Sequence, residues 1–357
     1  MRITTMPHEV PSREKVKKAG KILIKADATP EEFNKAMDVM SQWRALHSYP
    51  INTFQAMLRG KVRRLGFKSP IIAQRLKRTP SIIRKLTRFP TMSLSRMQDI
   101  GGIRIILPSI TDVYRLHSDI IKTKGRFEHE AVLPPDDYIR RPKKDGYRSL
   151  HQVFKYKNPK VPELDGLFIE LQIRTKIQHS WATAVETLGL VEKSSFKTGE
   201  GAEEFKRFFK LASALFSNYE KQPIIEELAN KNILDIADEL MDLEQELQIY
   251  AKLTGLIITA KHIETSSDKS NEYHLMELDT SGESPAVSLI PFTKSQLDLA
   301  ESIYRMREIE IKNSPNIEVV LIAAGNLKDI KKAYPNYFLD TQDFIKNLKN
   351  ICQKLNK

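Results

Sequence analysis

One segment with a two-residue period constrains the fold of this chain more than any other. Every second residue of 167–174 is apolar, beginning with Leu167. Such alternation is typical of a β-strand that has one face against a core. The polar residues between them, including Glu170, project from the other face. This strand therefore combines a structural face with a face that is available for chemistry.

Further strands and helices alternate with this strand. Ile103–Leu107 follows a Gly-Gly pair and is rich in β-branched residues, which predicts a buried strand. Helical spacing or helix-start signals predict helices at 10–26, 30–47, 51–65, 81–88, 112–124 and 175–188, with Ser81 as the N-cap of the fourth. We therefore expect an α+β fold with a mixed β-sheet flanked by helices.

The second half of the chain predicts a smaller unit. After a flexible loop at 193–203 and further helices, the pattern indicates strands at 254–264, 272–279, 285–292 and 317–323, with a helix near 294–313. The expected domains are a main domain at 1–220, a helical connector at 221–251, a small α+β domain at 252–330 and a terminal helical segment at 331–357.

Composition limits where the protein acts. No apolar run is long enough to cross a bilayer, so we expect no membrane partner and a cytoplasmic location. A single cysteine, Cys352, excludes an internal disulfide and a cysteine-rich zinc cluster. The expected cofactors therefore do not include zinc.

Positive charge is concentrated in the first part of the chain. The formal net charge is +12, and residues 39–98 contain thirteen Lys or Arg and no Asp or Glu. A tract of this kind favours a polyanionic partner. The alternative is a basic surface that serves only solubility.

A basic loop at 137–151 has the features of a nucleotide-binding surface. Gly146 permits a turn that exposes Tyr147, whose ring can stack on a base. Nearby cations can bind phosphate oxygens, and these are Arg140, Arg141, Lys143, Lys144 and Arg148. His151 either bonds a phosphate or caps the loop.

Two carboxylates flank this loop in the sequence. Asp99 precedes the Gly-Gly pair, and Glu170 lies on the polar face of its strand. Mg²⁺ needs only one or two carboxylates in addition to phosphate oxygens and water. We expect Asp99 and Glu170 to bind Mg²⁺, with Glu170 also the candidate general base. Alternatively, Asp99 caps a turn and Glu170 pairs with Arg174.

A cluster of cations precedes Asp99. Four of them are spaced so that a loop pair and a helix-face pair could converge on one triphosphate, and these are Arg75, Lys77, Lys85 and Arg88.

These residues together resemble a known family. The motifs Arg75-x-Lys77-Arg78, Arg96–Arg104, Gly146–His151 and Glu170–Thr175 occur in the order found in the RelA/SpoT-type pyrophosphokinase (alarmone synthetase) domain. The resemblance implies a nucleotidyltransferase-like mixed sheet, Mg²⁺ on the two carboxylates and an acceptor base on Tyr147. It also implies transfer of pyrophosphate from ATP to a 3′ hydroxyl, with ATP held by Arg75, Lys77, Arg78, Lys85 and Arg88.

The remainder of the chain is similar to toxic small alarmone synthetases of the CapRel fused toxin–antitoxin type. That resemblance implies a pseudo-zinc-finger antitoxin domain, with Tyr334 and Tyr337 in the adenine pocket of the closed state. It also implies tRNA as acceptor at its 3′-CCA end, inhibition of translation, and release by a phage capsid protein. The alternatives are synthesis of guanine or adenine alarmones from a free nucleotide, a catalytically silent RNA-binding module, and a terminal helix that the two tyrosines merely pack.

Overall fold

The computed structural model describes residues 10–77, 79–122, 129–195, 202–265, 270–279, 281, 286–311, 314, 317–323 and 337–355. The described chain divides into two compact units. One unit consists of the residues up to Tyr138 together with Ser149–Lys176, and the other consists of Ile139–Arg148 together with the residues from Ile177 onward.

The described part of the first unit consists of helices and one mixed sheet. Its helices are α1 (Arg13–Ile22), α2 (Pro30–Leu46), α3 (Ser48–Leu65), α4 (Thr79–Arg88) and α5 (Ile110–Lys122). Its strands are β1 (Ile71–Leu76), β2 (Gly101–Leu107), β3 (Glu130–Asp137), β4 (Leu150–Lys155) and β5 (Phe168–Thr175). The strand order is β1-β2-β5-β4-β3, with β2 and β5 parallel and the other neighbours antiparallel. The predicted α+β class with a mixed sheet is confirmed.

Helix starts in this unit follow from local chemistry. Thr29 and Glu32 form a reciprocal capping box that begins α2 at Pro30. Helix α4 begins at Thr79, so the prediction of Ser81 as its N-cap was wrong. The fixed φ of Pro80 suits the first turn of a helix, and Pro80 therefore lies inside α4 instead of before it.

The central strand β5 is covered on both faces. Ile169, Leu171 and Ile173 have no exposed surface, as the alternating pattern predicts. On the other face Gln172 and Arg174 are also buried, at 8% and 3% exposure. The polar face of β5 is therefore an internal hydrogen-bonded layer.

The second unit contains helices and a small sheet. Its helices are α6 (Lys176–Ser195, from Ile177 onward), α7 (Ala202–Tyr219), α8 (Ile233–Leu247), α9 (Ile249–Thr265), α10 (Leu297–Glu310) and α11 (Tyr337–Leu355). Its strands β6 (Asn271–Asp279), β7 (Ala286–Thr293) and β8 (Ile317–Ala323) form an antiparallel sheet of order β7-β6-β8. Three of the four predicted strands and the helix near 294–313 are confirmed.

The predicted strand at 254–264 was wrong, because this segment belongs to α9. Its β-branched residues 257–259 favour a strand locally. Leu253, Leu256 and Ile257 are nevertheless buried at helical spacing, and the two leucines belong to a core built largely from helices. Tertiary packing therefore overrides the local preference.

Several predictions on the second half stay predictions. The loop predicted at 193–203 was wrong at its ends, because 193–195 belong to α6 and 202–203 to α7. Residues 196–201 lie outside the described residues, as does Tyr334. The domain boundaries and the pseudo-zinc-finger assignment also stay predictions. No helix in the described part of the chain is long and apolar enough to span a membrane, and the cytoplasmic location remains a prediction.

The junction of α8 and α9 contains a half-buried acid. Glu244 accepts a hydrogen bond from the backbone N–H of Tyr250 at 3.0 Å through Oε1. Its Oε2 atom is buried without a hydrogen-bond partner. Burial raises the pKa of Glu244 to about 7, although two backbone N–H groups and two nearby lysines act in the opposite direction.

We predict that Glu244→Gln removes a pH dependence of stability. Between about pH 4.5 and pH 7 the folded protein keeps the proton that the unfolded chain releases, so the free energy of unfolding falls as pH rises. At pH 8 the variant should be more stable than the wild type by on the order of 2 kcal/mol. At pH 4 the two proteins should be equally stable.

Urea unfolding followed by circular dichroism at both pH values measures this difference. Asp242→Asn is the matched control, because Asp242 lies on the same helix and is exposed. Equal stability of Glu244→Gln and wild type at pH 8 would show that Glu244 is not protonated in the folded state.

Candidate active site

Strand pairing places an arginine and a glutamate on either side of a glycine. Arg75 on β1 pairs with Gly102 on β2, and Gly102 pairs with Glu170 on β5. Residues in such a row share one face of the sheet, and two strand spacings separate Arg75 from Glu170 by about 10 Å at Cα. Gly102 has no side chain to fill this distance. A Cβ atom there would meet nothing closer than two backbone oxygens, at 3.5 and 3.7 Å.

Glu170 is ionised and fixed in place. Its Oε1 atom lies 2.9 Å from Nδ1 of His151, and its Oε2 atom accepts a hydrogen bond from Gln172 at 2.8 Å. Burial acts to raise the pKa of Glu170, but these hydrogen bonds and the charges of His151 and Arg75 outweigh it and lower the pKa to about 2. The side chain is therefore a carboxylate over the physiological range.

A second layer of buried polar side chains orients Gln172. Its Oε1 atom accepts a hydrogen bond from Arg174 at 3.0 Å and lies 3.5 Å from Nε of Arg104. Because these guanidinium groups only donate, Gln172 must turn its amide nitrogen toward Glu170. The sequence prediction did not include Gln172 or Arg104. The two-residue period that exposed Glu170 also placed Gln172 on the same face and could have identified it.

Asp99 forms ion pairs with two of the predicted phosphate-binding cations. It lies two residues before β2, at the end of that strand where Gly102 pairs with Glu170. Its Oδ2 atom is 2.9 Å from Nζ of Lys77 and 2.9 Å from Nζ of Lys85. The structure thus brings Lys77 and Lys85 together although they come from a loop and a helix.

The other predicted phosphate-binding residues are placed differently. Arg75 and Arg88 are exposed, and the guanidinium of Arg88 lies over the ring of Phe89. Arg78 lies outside the described residues. The buried side of α4 consists of Ile82 and Leu86, at 0% and 1% exposure, so the cationic side of this helix faces away from the core.

The carboxylates fit a divalent cation. Oδ1 of Asp99 is buried and has no hydrogen-bond partner, so it is an acceptor that a cation could satisfy. Both oxygens of Glu170 accept one hydrogen bond each and keep a further lone pair. Among the described residues no group of three or more His, Cys, Asp or Glu side chains is arranged to hold a metal ion. Mg²⁺ could still use these two carboxylates together with phosphate oxygens and water.

Residues 139–148 of the predicted loop belong to the second unit, and one of them contradicts its prediction. Arg148 is only 2% exposed, and its Nη1 atom lies 2.8 Å from Oε2 of Glu220. It is therefore not placed to meet a phosphate, because a buried carboxylate already binds it. Lys144 is exposed, and the ammonium of Lys143 lies 5.0 Å from the centroid of the Tyr147 ring.

The Tyr147 ring is half-buried and borders a cavity of about 440 Å³. The cavity is also lined by Trp181, Phe205 and Phe209 from α6 and α7. His151, which the sequence analysis assigned to acceptor binding, belongs to the first unit and contacts Glu170.

Comparison with known proteins identifies the segment that contains these residues. Residues 74–199 match the model of the region found in RelA / SpoT proteins. The GTP pyrophosphokinase YjbM of Bacillus subtilis is 33% identical over 124 residues, which are 34% of this chain and 57% of the relative. The GTP pyrophosphokinase of Escherichia coli K12 is 29% identical over 175 residues, which are 48% of this chain and 21% of the relative.

Among solved structures, the small alarmone synthetase 1 from Bacillus subtilis aligns with 51% of this chain and 92% of its own. The TM-score is 0.43 at 26% sequence identity. Residues 74–199 are thus similar to the region found in RelA / SpoT proteins, and the chain spans about half and about a fifth of the lengths of the two curated relatives.

The two adjacent glycines should respond differently to alanine. A Cβ atom at Gly101 would lie 2.9 Å from Cδ1 of Ile169 and 3.0 Å from Cβ of His47, both in buried side chains. Gly101→Ala should therefore lower the free energy of unfolding by about 1–3 kcal/mol. Gly102→Ala meets only ordinary contacts and should change it by less than about 1 kcal/mol.

Chemical denaturation of the two variants measures both effects, and each variant is the other's control. Equal destabilisation by the two substitutions would show that a Cβ atom at Gly102 is not tolerated as its ordinary contacts predict.

Proposed function

We propose that this chain, in which residues 74–199 are similar to the region found in RelA / SpoT proteins, is an ATP-dependent pyrophosphokinase. The 3′ hydroxyl oxygen of an acceptor attacks the β-phosphorus of ATP, the bond from that phosphorus to the oxygen it shares with the α-phosphorus breaks, AMP leaves, and the hydroxyl proton is released to water. The observation that supports this most is the absence of a side chain at Gly102, with Arg75 on one side and the ionised Glu170 on the other.

In this proposal the cations bind the phosphates of ATP. Lys77 and Lys85 already converge on Asp99 and would exchange part of that contact for phosphate oxygens. Arg75 lies at the edge of the gap, and Arg88 is exposed on the same helix as Lys85. Their positive charge would stabilise the negative charge that moves toward the leaving AMP. Arg78 is proposed for the same role on the resemblance alone.

Asp99 and Glu170 would hold Mg²⁺ between them and the phosphates. When bound, Mg²⁺ would neutralise phosphate charge and orient the transferred group. The low pKa of Glu170 favours its role as a metal ligand over its role as the general base, because a carboxylate with a pKa of about 2 accepts a proton weakly. Glu170 can still accept a hydrogen bond from the acceptor hydroxyl and so align it.

A free guanine nucleotide is the first candidate acceptor. The two curated relatives are both GTP pyrophosphokinases by name. We propose that the acceptor base stacks on Tyr147 and that Lys144, which is exposed on the same loop, binds its phosphates. The assignment of His151 to the acceptor is retained as a secondary proposal, since its Nδ1 atom is already bonded to Glu170.

The 3′-CCA end of tRNA is a second candidate acceptor, which the basic tract at 39–98 favours. The fold weakens this argument, because Asp119 pairs with both Lys61 and Arg64 and so offsets part of the positive charge of that tract. In this reading the enzyme inhibits translation, and the C-terminal region restrains it until a phage protein binds.

We predict that Asp99→Asn and Glu170→Gln each lower transfer of labelled pyrophosphate at least about a hundredfold, because each removes one charged ligand of the proposed ion. Purified protein is incubated with ATP labelled at the β-phosphate, Mg²⁺, GDP and bulk tRNA. Glu163→Gln removes an exposed carboxylate elsewhere in the same unit and should leave transfer unchanged. Wild-type transfer rates in folded Asp99→Asn and Glu170→Gln would refute the proposed site.

The destination of the label separates the two acceptors. Label in a guanosine product identifies a free nucleotide, and label that precipitates with tRNA identifies the tRNA end. Label in neither acceptor refutes the proposed reaction.

We further predict that Tyr334→Ala increases transfer severalfold if the C-terminal region inhibits the enzyme. Tyr334 and Tyr337 flank a Pro-Asn pair just before or at the start of α11, and an aromatic side chain in the adenine pocket would compete with ATP. Initial rates at low ATP concentration measure the effect, with Tyr337→Ala as the companion variant. Unchanged rates in both variants would remove autoinhibition from the proposal.

A further inference from the structure

The loop that contains Tyr147 is fixed to helices α6 and α7 by buried polar contacts. Arg148 and Glu220 form an ion pair in which the side chains are 2% and 7% exposed. Gln178 on α6 donates a second hydrogen bond to the same Glu220 oxygen, at 3.1 Å. Glu220 directly follows α7, so the end of this helix holds the residue next to Tyr147.

The residue on the other side of Tyr147 is held as well. The hydroxyl of Ser213 on α7 donates a hydrogen bond to the carbonyl oxygen of Gly146 at 2.5 Å. Gly146 has a φ of +90°, and a Cβ atom there would lie 2.9 Å from Cβ of Ser213 and 3.2 Å from the Trp181 ring. The loop backbone therefore contacts α6 and α7 with no space for a side chain.

The conformation of Tyr147 itself depends on these two anchors. Its N–H group donates to Oδ1 of Asp145 at 2.9 Å, and its carbonyl oxygen accepts from the N–H of Lys143 at 3.1 Å. These bonds close a turn within the loop but do not fix the turn to the rest of the unit. The contacts of Gly146 and Arg148, on either side of Tyr147, supply polar attachment, and the Tyr147 ring adds packing against the apolar core of the unit.

We propose that Ser213 and Glu220 are positioning residues that set the affinity for the acceptor by holding the Tyr147 loop in its binding conformation; this inference rests on the proposed function. Ordering a loop residue costs conformational free energy, and a loop that is already ordered spares the acceptor this cost. Neither side chain is assigned a contact with ATP or with the acceptor.

The polar nature of the anchor supports a positioning role. The core around α7 is already formed by apolar side chains such as Phe208, Leu215 and Phe216, which have no exposed surface. A buried ion pair adds little net stability, since desolvation offsets its attraction, but it requires one geometry. Apolar side chains therefore pack α7 without the ion pair, and the ion pair determines where the loop lies on this helix.

The first test compares Glu220→Gln and Ser213→Ala with the wild type in steady-state kinetics, with GDP and tRNA each used as the acceptor probe. For Glu220→Gln the KM for the acceptor should rise roughly tenfold, because the loss of one partner leaves Arg148 buried and uncompensated. The KM for ATP should change by less than about twofold. Ser213→Ala should also raise the KM for the acceptor, by a smaller factor than Glu220→Gln.

Hydrogen exchange measures the loop without any assumption about the reaction. Backbone amides of 139–148 should exchange faster in both variants, whereas those of β5 should not change. If wild-type protein transfers pyrophosphate to neither acceptor, the proposed function fails, and faster exchange in 139–148 still shows that these residues hold the loop. Unchanged exchange in the loop overturns the positioning role whatever the activity.

Two further variants separate positioning from a general loss of stability. Glu227→Gln removes a carboxylate that pairs with Arg207 and Lys210 of α7 but does not contact the loop, so its acceptor KM and loop exchange should match the wild type. The double exchange Arg148→Glu with Glu220→Arg should recover most of the acceptor affinity lost in Glu220→Gln. Should Glu220→Gln not fold, the prediction is read from Ser213→Ala. Equal acceptor KM in Ser213→Ala and wild type would overturn the proposal.

Discussion

The parallel pairing of β2 with β5 is the interaction on which the proposed site depends. It sets Gly102 beside Glu170, and it places Asp99 at the same end of the sheet because Asp99 lies two residues before β2. The antiparallel strand β1 then adds Arg75 on the other side of the glycine. Backbone hydrogen bonds between three strands thus align a cation, a glycine without a side chain and a carboxylate that are far apart in sequence.

Buried polar layers then fix the side chains that this pairing brings together. Arg174 orients the amide of Gln172, which donates to Glu170, and the same carboxylate contacts His151. Because His151 and Gln172 both hydrogen-bond to it and the charges of His151 and Arg75 act in the same direction, Glu170 stays ionised despite its burial. In the second unit, Glu220 has a comparable role for the loop of Tyr147, although there the buried charges meet as an ion pair. The two units thus use buried polar contacts to fix single side-chain geometries.

The sequence predicted those features that depend on local periodicity. The period of two in β5 identified both its core face and Glu170, and the helical spacing in α4 separated Ile82 and Leu86 from the cations. It did not predict that Arg148 is buried and paired, because the carboxylate that binds it is 72 residues away and follows another helix. It also placed a strand where α9 lies, because the β-branched residues at 257–259 favour a strand locally, whereas the burial of Leu253 and Leu256 in a largely helical core depends on the fold. Features set by the local sequence pattern could be predicted, whereas contacts between residues that only the fold brings together could not.

Electron paramagnetic resonance with Mn²⁺ in place of Mg²⁺ tests the central claim most directly, since it reports the bound ion in the presence of a non-hydrolysable ATP analogue without requiring turnover. If Asp99 and Glu170 share the ion with the phosphates, wild-type protein should bind Mn²⁺ together with the nucleotide. The double variant Asp99→Asn with Glu170→Gln should bind it at least about tenfold more weakly. Unweakened Mn²⁺ binding in the folded double variant would contradict the account.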